Sequence, residues 1–327
     1  MRIVMLATGP FALPTFRGLF KTHHEVAALV TAPTGRTRGA RPAPIAPVRD
    51  LAHEQGVPVL DPEDINSPLA QEQLRKLEVD LLVTCDYGQI LSATTLATAR
   101  LGGINLHASL LPKYRGAAPI NWAIYHGETE TGVTVIHMTP QVDAGPCIAQ
   151  VRTAIDPNET APELEARLAE MGAWLVRRAL DAVEAGRLEA LPQDPSQASK
   201  APRLKKEDGI IDWSRPATAI FNQVRAMQPW PKTFTFWPRE GRETLRLIVE
   251  RAAVEDAQSP CPEPPGTVLA AEGDRLVVAC EPGRLALRAV QPAGKRLLSA
   301  DEFLRGYRVR PGDRFTAGLG AAGRDPL

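Results

Sequence analysis

The feature that most restricts the fold of this chain is the alternation of short apolar strands with helical segments along its first half. Arg2–Ala7 reads as a strand, Leu13–Thr22 as a helix and Glu25–Thr31 as the next strand. Val48–Gln55 reads as a helix, Leu74–Leu77 ends another, and Val79–Thr84 is an apolar run of strand length. Strands apolar along their whole length are buried on both faces, and their alternation with helices predicts a parallel sheet covered on both sides. Ala118–His126 reads as a helix with proline near its start. Gly132–Met138 and Cys147–Thr153 read as strands, and Ala161–Gly186 as a long amphipathic helix stopped by its glycine.

Thr8-Gly9-Pro10 follows the first strand, where a dinucleotide site would carry its glycine fingerprint. The G-x-G-x-x-G spacing is absent, so the sheet reads as Rossmann-like without nicotinamide chemistry. Arg187 to Lys206 is rich in Pro, Gln, Ser and Ala and has no apolar period, which marks a linker. The expected division is a catalytic domain over residues 1–188, a linker over 189–207 and a C-terminal domain over 208–327. In the last part Pro216–Ala226 reads as a helix, followed by short strands at Thr233–Trp237, Leu245–Arg251, Thr267–Ala270, Leu276–Ala279 and Leu285–Gln291. Short strands separated by turn signals predict a small β-barrel.

Composition narrows the class. The 327 residues carry a formal net charge of +0, so no overall field draws the chain to RNA or membrane, and any RNA contact must come from local Arg and Lys clusters. Cys85, Cys147, Cys261 and Cys280 are far apart with no C-x-x-C spacing, which fits free thiols in a reducing cytoplasm. The start of the chain is a strand without a signal-peptide pattern, and no apolar run reaches transmembrane length. A cytoplasmic monomer is the expectation.

The chemistry concentrates in Asn105-Leu106-His107-Ala108-Ser109-Leu110-Leu111-Pro112 and in Gln141-Val142-Asp143-Ala144-Gly145. On a strand, Asn105 and His107 project to the same face while Leu106 points into packing. Transfer of a small acyl group needs a donor to the developing oxyanion, a group that handles the amine proton, and a partner that fixes the imidazole. Asn105, His107 and Asp143 are the right types for these roles. A turn at Asp143-Ala144-Gly145 is the plainer reading of that string taken alone. Ser109 lacks the Gly-x-Ser-x-Gly elbow of an activated nucleophile and reads as a binding or turn residue.

Beyond these residues, Tyr114-Arg115-Gly116-Ala117-Ala118-Pro119-Ile120, Glu130-Thr131-Gly132-Val133-Thr134 and Tyr87-Gly88-Gln89-Ile90-Leu91 stand in order along the chain. Downstream come Ile211-Asp212-Trp213-Ser214, Pro229-Trp230-Pro231 and Leu287 to Lys295. With the Asn105–Pro112 string, this set resembles the folate-dependent formyltransferases over nearly the whole chain, most of all those that formylate methionyl-tRNA. The resemblance implies an OB-like barrel at the C-terminus and formyl transfer from 10-formyltetrahydrofolate to the α-amine of methionyl initiator tRNA. It implies catalytic roles for Asn105, His107 and Asp143, and a folate site at Tyr87, Gly88, Ile90, Ser109, Leu110, Leu111 and Pro112. The reaction calls for neither a metal nor a covalent enzyme intermediate.

The resemblance also implies tRNA contacts in the loop after the second strand. That loop carries Arg36, Arg38 and Arg41, and the choice among the three stays open because Thr34-Gly35-Arg36-Thr37-Arg38-Gly39 departs from the commoner family string. Lys205, Lys206 and Lys295 are further candidates for contacts to phosphate. Two other readings stand beside this one. One is a formyltransferase for a small amine such as an amino sugar nucleotide, which would need neither barrel nor basic loop. The other is an RNA-binding module with a decayed catalytic domain, which the full Asn105, His107 and Asp143 set argues against.

Overall fold

The computed structural model describes residues 1–33, 47–187 and 190–318. It divides into two compact units. The first comprises Met1–Ile120, Thr129–Ile155 and Glu163–Arg203; the second comprises Asn121–Glu128, Asp156–Pro162 and the chain from Leu204 onward. Among the described residues no helix is long and apolar enough to cross a membrane.

The first half alternates as its apolar pattern predicts: β1 (Arg2–Ala7), α1 (Leu13–Leu19), β2 (Glu25–Val30), α2 (Pro47–Glu54), β3 (Val59–Leu60), α3 (Pro68–Lys76), β4 (Leu81–Cys85), α4 (Ala93–Leu96) and β5 (Gly103–His107). Then come α5 (Pro119–Tyr125), β6 (Glu130–His137), β7 (Cys147–Ala154) and α6 (Ala161–Glu184). The sheet runs β3-β2-β1-β4-β5-β6-β7. Ile3 to Ala7 and Leu81 to Val83 are fully buried, which is why β1 and β4 are apolar along these stretches. Ser67 and Ser92 accept from the backbone N–H three residues on, at Ala70 and Thr95, and so start α3 and α4.

The strands from β3 to β5 are parallel, but β6 runs antiparallel to β5 and β7 antiparallel to β6. The expected Rossmann-like parallel sheet is present over β3 to β5, with β6 and β7 added antiparallel at one edge. β6 and β7 are joined by too short a connection for a parallel crossover, so they form a hairpin. The strand order reverses between β1 and β4, and in open α/β sheets the crevice beyond the carboxyl ends at such a point is where ligands bind.

The second unit holds α7 (Ala217–Ala226), β8 (Thr233–Arg239), β9 (Arg242–Asp256), β10 (Val268–Glu272), β11 (Arg275–Ala279), β12 (Arg284–Pro292), β13 (Leu298–Ser299) and α8 (Ala300–Gly306). Its antiparallel sheet has the order β10-β11-β12-β9-β8, with β13 on β12. β9 pairs with both β8 and β12, and register shifts on both sides let this long strand curl. The two edges are bridged by the chain after α8: Arg314 pairs with Thr267 beside β10, and Thr316 pairs with Phe236 in β8. The sheet is thus curled and partly closed, as an OB-like barrel is. Trp213, Trp237, Phe303 and Phe315 meet in its core with ring centroids 6.2–6.3 Å apart. The one polar group of Trp213 is satisfied by donation to Thr235 Oγ1 at 3.0 Å. The Ile211-Asp212-Trp213-Ser214 string therefore feeds the barrel core.

Candidate active site

β5 delivers two groups to one face. Leu106 points away from them, 3% exposed, and packs where α6 carries Gly172; a Cβ at Gly172 would lie 2.4 Å from Leu106 Cδ2. The β6–β7 connection delivers the third group. A Cβ at Gly145 would stand 1.7 Å from the His137 carbonyl oxygen, so only glycine lets this loop fold back onto the end of β6. Asp143 sits in that loop with φ 49°, a left-handed conformation that Asp tolerates better than most side chains.

The three side chains converge. Asn105 Nδ2 donates to Asp143 Oδ1 at 3.3 Å, and His107 Nδ1 faces Asp143 Oδ2 at 3.5 Å. His107 is 6% exposed, and its Nε2 lies 2.8 Å from the Tyr114 carbonyl oxygen, so both ring nitrogens face oxygen acceptors. The Gly116 backbone N–H donates to Asp143 Oδ2 at 2.9 Å. Charge on Asp143 is thus held by an amide, a backbone N–H and an imidazole, while the second amide hydrogen of Asn105 remains available to a substrate oxygen.

Two further residues hold this arrangement from behind, and the sequence reading missed both. Gln193 Nε2 donates to the carbonyls of Asp143 and Gly145 at 2.8 and 2.7 Å, and its Oε1 accepts from Arg115 at 2.6 and 3.1 Å. Ser199 Oγ accepts from the Tyr114 N–H at 2.9 Å, and the Ser199 carbonyl accepts from the Arg115 N–H at 2.8 Å. Ala201 N–H donates to the Arg115 carbonyl at 2.7 Å. The stretch read as a linker over residues 189–207 is therefore bonded to the first unit as far as Ala201, and that unit continues to Arg203. Gly116, with φ 124°, permits the approach: a Cβ there would lie 2.5 Å from the Ala201 carbonyl oxygen.

The residues expected to bind folate divide into two loops leaving neighbouring strands. After β4, Tyr87 is buried and its hydroxyl has no partner, with its acidity suppressed by burial and by nearby Asp64. Gly88 takes φ 86°, and Ile90 is 59% exposed in a loop pinned by Asn66, which donates to the Ile90 carbonyl and accepts from the Ser92 N–H. After β5, the chain turns over β6 and β7. The Ser109 hydroxyl is spent on the Lys113 carbonyl at 2.6 Å, in keeping with a turn residue rather than a nucleophile. Leu110 packs against Gly132, Leu111 N–H donates to Thr134 Oγ1, and Leu111 and Pro112 line a cavity of about 310 Å³ with Cys147, Gln150, Leu191 and Gln193.

The place of a dinucleotide's glycine loop is taken by Asp86. Its carboxylate lies against Gly9, where a Cβ would be 1.6 Å from Oδ2. Although Asp86 is exposed at its rim, desolvation by the neighbouring protein pushes its carboxyl up, and burial together with the Asp86 charge pushes Glu165 on α6 up as well. A carboxylate there disfavours a pyrophosphate by occupancy and by like charge.

Of the expected RNA contacts, Arg36, Arg38 and Arg41 lie outside the described residues. Lys205 and Lys206 are exposed at a 3-10 turn, and Lys295 is exposed between β12 and β13. Among the described residues His23, His24 and Glu184 bring potential metal ligand atoms within 4.8 Å of one another, at a surface where Glu184 already pairs with His23 and with the Met1 amine.

Known proteins resemble this chain along nearly its whole length. The chain is 41% identical over 330 residues to the methionyl-tRNA formyltransferase of Rhodopirellula baltica, covering 97% of each chain. It is 40% identical over 324 residues to that of Geobacter sulfurreducens, covering 99% of this chain and 98% of the relative. Among solved structures, the N-formyltransferase from Helicobacter canadensis in complex with folinic acid and dTDP-3-aminofucose aligns over 88% of this chain and 98% of its own, with TM-score 0.64 and 16% identity. The sugar 3N-formyl transferase WlaRD aligns over 90% of this chain and 99% of its own, with TM-score 0.63 and 15% identity. These two share the fold. Residues 1–180 match the formyl transferase family and residues 203–308 match the formyl transferase C-terminal domain. The chain is therefore a formyl-transferring enzyme that belongs to the formyl transferase family, in the two-domain form of the methionyl-tRNA formyltransferases.

Proposed function

We propose that this protein transfers the formyl group of 10-formyltetrahydrofolate to the α-amine of methionine carried by initiator tRNA, the step that prepares the first residue for translation. The observation that carries the reading is the convergence of Asn105, His107 and Asp143 in a chain about 40% identical, end to end, to methionyl-tRNA formyltransferases. The folate supplies the formyl carbon; the loops at Tyr87–Ile90 and Ser109–Pro112 are the parts of the chain that hold it. The buried, unpartnered Tyr87 hydroxyl and the exposed Ile90 suit a ligand that is part ring, part polar.

The α-amine forms a bond to the formyl carbon as the bond from that carbon to the folate nitrogen breaks. Asn105 donates to the formyl oxygen as charge develops on it. Asp143, fixed by Gly116 N–H and facing His107, takes the proton that the amine loses. The folate nitrogen gains a proton in return, and His107 and Asp143 act in these transfers as one unit. Lys205, Lys206, Lys295 and the arginines of the 34–46 stretch supply phosphate contacts to the tRNA.

The competing acceptor is a small amine. The barrel does not separate the two, because sugar formyltransferases share this fold over most of their length. What separates them is overall identity, about 40% to the tRNA enzymes. The test is formyl transfer from 10-formyltetrahydrofolate with methionyl initiator tRNA, free methionine and an amino sugar nucleotide as parallel acceptors. Transfer to charged tRNA alone is expected. Transfer to the sugar nucleotide would overturn the acceptor and leave the catalytic reading standing.

A further inference from the structure

We infer that Gln193 and Ser199 are positioning residues for formyl transfer, each clamping the main chain that holds one member of the His107–Asp143 pair. The inference rests on the function proposed above. β5 fixes Asn105 and His107 as a strand does, by its ladder. Asp143 and the two backbone groups that touch the pair, Tyr114 C=O and Gly116 N–H, have no ladder to hold them. Asp143 and Tyr114 both adopt left-handed backbone, with φ 49° and 62°, a region costly for a side chain as large as tyrosine. Such conformations persist only where their surroundings over-determine them.

The strap from Leu191 to Ala201 does that. At one end Leu191 exchanges two backbone hydrogen bonds with Cys147 at 2.8 and 2.9 Å. Gln193 then uses both amide hydrogens on the carbonyls of Asp143 and Gly145, while its oxygen takes Arg115. Farther on, Ser199 holds Tyr114 N–H through its hydroxyl and Arg115 N–H through its carbonyl. Tyr114 in turn presents its carbonyl to His107 Nε2. One strap thus reaches the carboxylate through Gln193 and the imidazole through Ser199, and Arg115 ties the two branches together. Neither residue touches the reacting atoms.

The test uses the full chain with Gln193→Glu, Ser199→Ala and Ser199→Thr. Gln193→Glu keeps the shape and the Arg115 partner but loses both donors. Ser199→Ala removes only the hydroxyl, and Ser199→Thr restores it. Gln193→Glu is expected to lower kcat by about ten- to hundredfold, as misplacement of reacting groups does, with KM for folate and tRNA within about twofold of the parent. Ser199→Ala is expected to lose about tenfold and Ser199→Thr to recover most of it. Hydrogen exchange reads the clamp without substrate: it accelerates over 143–145 in Gln193→Glu and over 114–116 in Ser199→Ala. Unchanged kcat and exchange would overturn the inference. So would losses in which KM rises in step with a lowered Tm, the mark of a merely structural role. Asp143→Asn in the same assay separates the two failures, since undiminished turnover there would sink the catalytic reading itself.

Discussion

In the first unit Asp86 and Glu165 are carboxyl groups pushed up by the protein around them. In the second unit Asp256 is held down to about 2 by the side chain and N–H of Ser259, and Glu302 down to about 2 by Arg296 and the Ser299 N–H. The first unit has surface carboxyls of the second kind too, such as Asp80. Among the described residues, however, no carboxyl of the second unit is pushed up. Asp86 and the unpartnered Tyr87 hydroxyl stand just past the carboxyl end of β4, where ligands bind in such sheets. The second unit packs Trp213, Trp237, Phe303 and Phe315 into its core, and its desolvated charges are cations, Arg225 and Arg246, whose acidity burial raises. The contrast is that of a unit built around chemistry and a unit built around a core.

The largest effect that would break this contrast is on turnover. Alanine at Asn105 or asparagine at Asp143 should lower kcat by about 10²–10³, with affinity for either substrate nearly unchanged. Steady-state kinetics with charged tRNA checks it, and equal losses in binding and rate would remove both residues from the transition state. Next is Phe303→Ala in the barrel. Emptying a fully buried aromatic site should cost about 3–5 kcal/mol, read by denaturant unfolding. A cost below 1 kcal/mol would mean that the barrel core is less well packed than its aromatic contacts indicate. Smaller still, Lys205→Ala, Lys206→Ala and Lys295→Ala should each weaken tRNA binding while leaving kcat at saturation intact. Each should reduce the slope of log affinity against log salt by about 1 if the side chain contacts phosphate. An unchanged slope identifies a lysine that is merely solvated.

The smallest effects have opposite signs in the two units. A carboxyl pushed up favours the fold in its protonated form, so its contribution is present in acid and lost as pH rises through its folded pKa. Asp86→Asn should therefore raise Tm at pH 7, an effect solvent screening keeps small, and the gap should narrow on acidification. A carboxyl held down contributes above its ordinary value of 4.5, and the contribution is lost as pH falls towards about 2. Glu302→Gln should lower Tm slightly at pH 7, and this gap too should close in acid. Shifts of the same sign would erase the distinction between the units.

Much of this was legible in the chain. Apolar runs on β1 and β4 announce strands buried on both faces, and the two-residue spacing of Asn105 and His107 announces a shared face. The barrel strands were found at their centres, but β9 extends well beyond Leu245–Arg251 because its curl relaxes the apolar alternation at both ends. α8 carries a readable signal in its sequence, for Ser299 and Glu302 form a capping box. β3, two residues long, is too short to show a period. The strap resembles a linker in sequence because it is held by main-chain pairing at Leu191, Ser199 and Ala201, which leaves no compositional trace, and by Gln193 and Ser199, polar residues that a linker carries equally. Only Gly116, whose missing Cβ admits the Ala201 carbonyl, hints at it.

The clamp also has a consequence in time. Gln193 lies 50 residues beyond Asp143, and Ser199 lies 85 beyond Tyr114. A ribosome adding ~5–20 residues per second leaves the imidazole and the carboxylate without their supports for several seconds after both have been made. The strand that carries the chemistry folds from neighbours already present, whereas the turns that aim it wait for a stretch of chain still to come. Activity in the nascent protein is therefore expected to lag behind the folding of its sheet, and to begin when the last strap residue clears the exit tunnel.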